Sequence, residues 1–218
     1  MSLLCIDFLL RAALTAQGHW RKPIGFMAIN ALTLSQPPPV KRRHTHDMGE
    51  PQAMGSKAPL PGVRCMVFTT SDSRTLQSDA GGGYLADALV SQGHRVVARR
   101  IVADEVAAIR ALVLDAVESG TIDVLLITGG TGVAPRDVTP DAVVPLFTKR
   151  LQGFGEVFRQ LSFAAIGPEA ILSRADAGVI TRTLVFIVPG SPDACQLAMD
   201  RLIGPILRHA IGLLRTPD

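Results

Sequence analysis

Asp123-Val124-Leu125-Leu126-Ile127-Thr128-Gly129-Gly130-Thr131-Gly132 is the stretch on which the reading of this chain turns. Its centre is apolar without alternation, the pattern of a strand covered on both faces. It then opens at once into glycine and threonine. Glycines let a backbone approach a ligand closely and aim successive N–H groups at one spot. In an open α/β sheet such a turn lies at the carboxyl end of a strand, where ligands bind.

Working outward, Val63 to Phe68 has strand length and composition, and Tyr84 to Gln92 reads as a helix stopped by Gly93. His94 to Val102 is a second strand. A helix follows with Val106, Ile109, Val113 and Ala116 at helical spacing, Asp104 as its candidate cap and Gly120 at its end. This β-α-β-α-β order predicts an α/β protein with a mostly parallel sheet and right-handed crossovers. Helical segments are expected around 140–173, strands at 176–181 and 183–188, and a last helix over 191–214 that Pro205 kinks or breaks. No internal repeat is visible.

Apolar residues make up 47% of the 218 and charged residues 19%, enough for one substantial core plus extra segments. Residues 1–58 differ from the rest. They carry a net charge of +4 against −1 for the remainder, with Pro37-Pro38-Pro39 and Lys41-Arg42-Arg43 in a linker-like run. Their apolar segments are too short and too charged to span a membrane, and the positive charge follows the apolar run where a signal peptide needs it ahead. The expectation is a dispensable, disordered or non-native N-terminal extension over 1–58, or else a targeting or partner-binding arm, and one folded domain over 59–218. His19, His44 and His46 are either metal ligands or, as is commoner in such a segment, solvated bystanders. With the basic character confined to the extension, the domain has no basic face for nucleic acid. Cys5, Cys65 and Cys195 form no CxxC or metal spacing, which suggests reduced thiols in a cytoplasmic protein, Cys65 and Cys195 being small buried hydrophobes.

The glycine turn lacks the Gly-Lys-Ser/Thr of a P-loop and does not match GxGxxG, so it reads as a phosphate cradle of another kind. A helix starting near Thr139-Pro140, with Asp141 in its first turn, would add to its attraction for an anion. Asp137 is either a Mg²⁺ ligand beside a phosphate or the cap of that helix, and Arg136 either neutralises phosphate or pairs with a surface acid. Ser71 and Asp72, at the exit of the first strand in Thr70-Ser71-Asp72-Ser73-Arg74, either meet a ligand or form an Asx-type turn. Ser191, followed by Pro192, caps the last helix and lies at a third exit.

Thr128 to Gly132, followed by Pro135-Arg136-Asp137-Val138-Thr139-Pro140-Asp141-Ala142, resembles the signature of the molybdopterin-binding MogA/MoaB proteins. The likeness runs on through Gly153-Phe154-Gly155-Glu156-Val157-Phe158-Arg159, Ala170-Ile171-Leu172-Ser173-Arg174 and Pro189-Gly190-Ser191-Pro192, covering about Pro61 to Leu214. Phe158 to Phe163 and the run to Ile166-Gly167 are more similar to MoaB than to MogA. The resemblance implies a three-layer α/β sandwich of molybdopterin-binding type, a homo-oligomer (trimer or hexamer), and contact with other cofactor-assembly proteins. It implies a molybdopterin adenylyltransferase acting in molybdenum-cofactor biosynthesis with ATP as co-substrate and Mg²⁺, releasing pyrophosphate; the alternative is a non-catalytic molybdopterin carrier or scaffold. A generic nucleotide-binding enzyme is a third reading. The family's two important carboxylates fall on Asp104 and Asp137, implied as catalytic residues and metal ligands. Ser71, Asp72, Thr128, Gly129, Gly130, Thr131, Gly132, Arg136 and Ser191 are implied to bind substrate. Gly155, Glu156 and Arg159 stand either near the site or in packing.

Overall fold

The structure is a computed structural model that describes residues 62–216. The expectations for residues 1–58, including the three histidines and Cys5, lie outside the described residues.

Six strands form one sheet in the order β2-β1-β3-β6-β5-β4: β1 Arg64–Thr70, β2 Arg95–Val102, β3 Val124–Thr128, β4 Lys149–Arg150, β5 Asp176–Ile180 and β6 Thr183–Val188. The β1/β2, β1/β3 and β3/β6 pairs are parallel; β5 joins β6, and β4 joins β5, antiparallel. The short edge strand β4 escapes the sequence reading because Lys149 and Arg150 are both exposed and carry no apolar alternation.

Neighbouring residues of the central strands feed opposite cores, as the two-residue period of a strand requires. Val67, Leu126 and Phe186 pack on one face under helices α1 (Ala80–Ser91), α4 (Gln152–Ile166), α5 (Pro192–Ala198) and α6 (Gly204–Arg215). Phe68, Ile127 and Ile187 pack on the other face under α2 (Val106–Glu118) and the single turn α3 (Thr139–Val143). This is the expected three-layer sandwich, and burial of both sheet faces explains the unbroken apolar run of β3.

Three local expectations need correction. Helix α1 begins at Ala80, not near Tyr84. Asp79 caps it, its carboxylate accepting from the Gly82 amide at 3.0 Å, and the low helix propensity of Gly81-Gly82-Gly83 hides that first turn in the sequence. Asp104 does not cap α2: the cap position is Glu105, without a side-chain bond, so the Asp104 carboxylate is left for other uses. The C-terminal helix is not broken: it runs on from α5 through a π-helical turn over Met199–Ile203 into α6, with the Gly204 amide donating to the Met199 carbonyl, and this local distortion just ahead of Pro205 accommodates the proline's missing N–H.

Candidate functional site

The carboxyl ends of β1, β3 and β6 open into one cleft of about 560 Å³. The glycine turn is its floor. Gly129 and Gly130 have φ of +98° and +60°, in the left-handed region that side chains avoid. The amide of Gly129 completes the sheet by donating to the Val188 carbonyl at 3.1 Å. The next three carbonyls are all turned into the protein. Gly130 accepts from the Thr139 amide, Thr131 from the Arg174 amide at 2.9 Å, and Gly132 from Arg174 Nε at 2.8 Å. The amides of Gly130, Thr131 and Gly132 meet no protein acceptor among the described residues. A turn whose carbonyls are bound behind it and whose N–H groups stay free is a ready anion nest. Helix α3 contributes little, because it is one turn long and its first residues, Thr139 and Pro140, are buried.

Arg174 holds this turn together. Besides Gly132 it reaches the Asp137 carbonyl through Nη2, and its Nη1 donates to both carboxylate oxygens of Asp141 at 2.9 and 3.0 Å. Only its place in the motif after Leu172 hinted at it; its role depends on a contact 42 residues away in sequence.

The two carboxylates flank the turn. A methyl group at Gly130 would lie 3.2 Å from Asp104 Oδ1, and one at Gly132 would lie 2.7 Å from Asp137 Oδ2. Asp137 is not the cap of α3; that position is Val138, and Asp137 Oδ2 accepts instead from the Ala134 amide at 2.9 Å. Asp72 Oδ1 accepts from the Asp104 amide at 3.1 Å, which brings the first and second strand exits together. Burial pushes the Asp104 carboxyl above its ordinary value, and the charges of Asp72 and Asp137 push it the same way, while the amide contact with Asp72 and the charge of Arg136 oppose them. Among the described residues no three His, Cys, Asp or Glu side chains converge as a metal-holding group.

Ser71, Asp72, Asp104, Gly129 to Gly132, Arg136, Asp137 and Ser191 all line the cleft. Ser71 Oγ accepts from the amides of Ser73 and Arg74, so it shapes its own loop, and Ser191 caps α5 by accepting from the Ala194 amide at 3.3 Å. Thr128 does not join them. It is fully buried, its hydroxyl donating to the Pro189 carbonyl at 2.9 Å, so it fastens the β3 exit to the β6 exit from behind. Gly155, Glu156 and Arg159 line a separate hollow of about 250 Å³ with Arg150 and Asp176. Arg74 and the far wall, where Phe158, Ser162, Ile166, Glu169 and Leu172 face the cleft, carry no local signal of a ligand in the sequence. The far wall lies on α4 and the 3₁₀ segment after it, whose approach to the glycine turn is a matter of packing.

A fold of this kind with an anion nest at its central switch point defines a class of protein: a family model described as probable molybdopterin binding domain matches residues 66–209, and the chain belongs to this family of molybdenum-cofactor biosynthesis proteins. Within the family it is similar to molybdenum cofactor biosynthesis protein B of Bacillus subtilis (strain 168), 48% identical over 154 residues that cover 70% of this chain and 91% of that one. A crystal structure of molybdenum cofactor biosynthesis protein B matches with a TM-score of 0.70 at 44% identity, covering 72% of this chain and 98% of that one. A MogA structure matches at 0.62 and 29%, covering 70% and 99%, so the chain stands nearer to MoaB. Among the described residues no helix is long and apolar enough to cross a membrane.

Proposed function

We propose that this protein binds molybdopterin by its phosphate on the glycine turn and adenylylates it with Mg-ATP, releasing pyrophosphate. The observation that carries the reading is the set of three unpaired amides at Gly130, Thr131 and Gly132 flanked by Asp104 and Asp137. In the reaction a phosphate oxygen of molybdopterin attacks the α-phosphorus of ATP; the new P–O bond forms as the bond to the bridging oxygen breaks, and the electron pair leaves with pyrophosphate. Positioning and charge neutralisation supply the rate. The open amides hold the attacking phosphate, and the rigid ties to Arg174 and Thr139 keep them aimed.

The residues fit a divalent cation. Four carboxylates, Asp72, Asp104, Asp137 and Glu169, face the cleft against two guanidiniums, Arg74 and Arg136, so polyanions enter more easily with added positive charge. Mg²⁺ is ordinarily held by one or two carboxylates plus substrate phosphates, which accords with two flanking acids in place of a closed cage of three. Asp104 and Asp137 would hold it, and it would supply charge neutralisation of the phosphates. We further propose that the chain works in the cytoplasm as a trimer or hexamer with other cofactor-assembly proteins, the family resemblance being the support.

The test is pyrophosphate release from ATP in the presence of molybdopterin, for the wild-type chain and Asp137→Asn, beside direct binding of molybdopterin to each. The expected result is release by the wild type, loss of about 100-fold or more in the variant, and binding retained in both. Binding without release in either protein would replace this reading with the carrier alternative.

A further inference from the structure

Two guanidiniums face the cleft, and they are not in equivalent surroundings. Arg136 stands among acids, close enough to Asp104 to oppose the rise in its pKa. Arg74 lies on the loop after β1, beside Gly190, and its ion-pair partner is shared with a second guanidinium. Its Nη1 donates to the Gly190 carbonyl at 2.9 Å and stands 3.6 Å from Asp79 Oδ1. Asp79 is fully buried and already engaged: it accepts from Thr69 Oγ1 at 2.7 Å, from the Gly82 amide, and from Arg99 Nη2 at 2.9 Å. One carboxylate thus serves two guanidiniums, leaving one positive charge uncompensated. Arg99 does not face the cleft; Arg74 does, with 35% of its side chain exposed. Its Nε and Nη2 meet no protein acceptor among the described residues. A planar fork with free donors, held at one corner and carrying surplus charge, matches the geometry of a phosphate.

We propose that Arg74 is a second phosphate-holding arm of this cleft, positioned by the Gly190 carbonyl and Asp79, which grips the phosphate group of one substrate while the glycine turn holds that of the other. The proposal rests on the adenylylation reading, in which two phosphate-bearing molecules must be held at once. The shared chemistry is a terminal phosphate, coming either from the monophosphate of the pterin or from the diphosphate end of the nucleotide. Asp79 acts through Arg74 and is a positioning residue.

The experiment compares the full-length wild type with Arg74→Gln, which keeps a donor for the Gly190 carbonyl but removes the charge, and with Arg74→Lys, which keeps the charge but loses the fork. Calorimetry measures binding of molybdopterin alone, of Mg-ATP alone and of inorganic pyrophosphate, alongside thermal unfolding. The expected result for Arg74→Gln is at least tenfold weaker binding of one substrate, an unfolding midpoint close to the wild type, and partial recovery in Arg74→Lys. A loss confined to molybdopterin puts the pterin phosphate on Arg74; a loss shared by Mg-ATP and pyrophosphate puts the leaving diphosphate there. Unchanged affinities for all three overturn the proposal, and pyrophosphate release persisting in that variant shows that the adenylylation reading stands without it. Should the wild type release no pyrophosphate, that reading falls, and the molybdopterin comparison still decides the role of Arg74. If Arg74→Gln fails to fold, Arg74→Lys carries the comparison, and wild-type affinities in it overturn the fork.

Discussion

Arg174 Nε donates to the carbonyl of Gly132 at 2.8 Å, and the same guanidinium reaches the carbonyl of Asp137, so one side chain ties the nest to the loop that carries the acid. Hydrogen bonds to a charged group contribute about 1.5–3 kcal/mol each when their loss strands a partner. Arg174→Ala should therefore free the Gly132 carbonyl to turn into the cleft and weaken molybdopterin binding by about tenfold or more, each 1.4 kcal/mol being about a factor of ten. Arg174→Lys should recover little, because an ammonium cannot serve Gly132, Asp137 and Asp141 from one plane. Equal molybdopterin affinities in wild type and Arg174→Ala, measured by calorimetry, would remove this role.

Asp104 predicts the acid limb of the pH–rate profile. Burial, Asp72 and Asp137 raise its pKa, and the protonated form is the one favoured as pH falls. If the ionised carboxylate is the working form, the rate of pyrophosphate release should fall with decreasing pH at a higher pH than an ordinary carboxylate would give. Asp72→Asn keeps an amide oxygen to accept from the Asp104 backbone but removes a like charge, so the limb should move to lower pH. A limb in the same place in wild type and variant would show that another group sets it.

Stability in acid should depend on Asp123, at the opposite end of β3 from the cleft. Burial works to raise its pKa, but hydrogen bonds and charge from Arg64 and Arg215 outweigh it and bring it to about 2. A folded pKa below the unfolded value of about 3.9 means that the contribution is present above that unfolded value and is lost as pH falls through the folded one. Chemical denaturation of the wild type should therefore weaken between about pH 4 and pH 2. Asp123→Asn should be less stable at neutral pH and lose less over the same interval. Parallel curves for the two proteins would refute the assignment.

The sheet, its mostly parallel order and the glycine floor of the cleft were legible because they rest on local signals. An unbroken apolar run means two covered faces, as in Val124 to Thr128 with its fully buried pattern. Two glycines at the strand exit mark backbone angles that other residues resist. Asp137 was legible as a carboxylate beside a phosphate cradle, and Asp104 only through family resemblance, since alone it looked like a helix cap.

What the chain by itself determined, then, was which residues line the strand exits and that the glycine turn among them suits an anion. Which of their polar groups stay unpaired was decided by the tertiary structure. Thr128 and Gly130 stand two residues apart in one motif, yet the hydroxyl of Thr128 is consumed by Pro189 while the amide of Gly130 stays open. Arg74 and Arg174 are held by partners more than a hundred and about forty residues away. Hydrogen-bonding capacity is a property of the residue, but whether it is already used depends on what the fold brings within 3 Å, about the reach of one hydrogen bond.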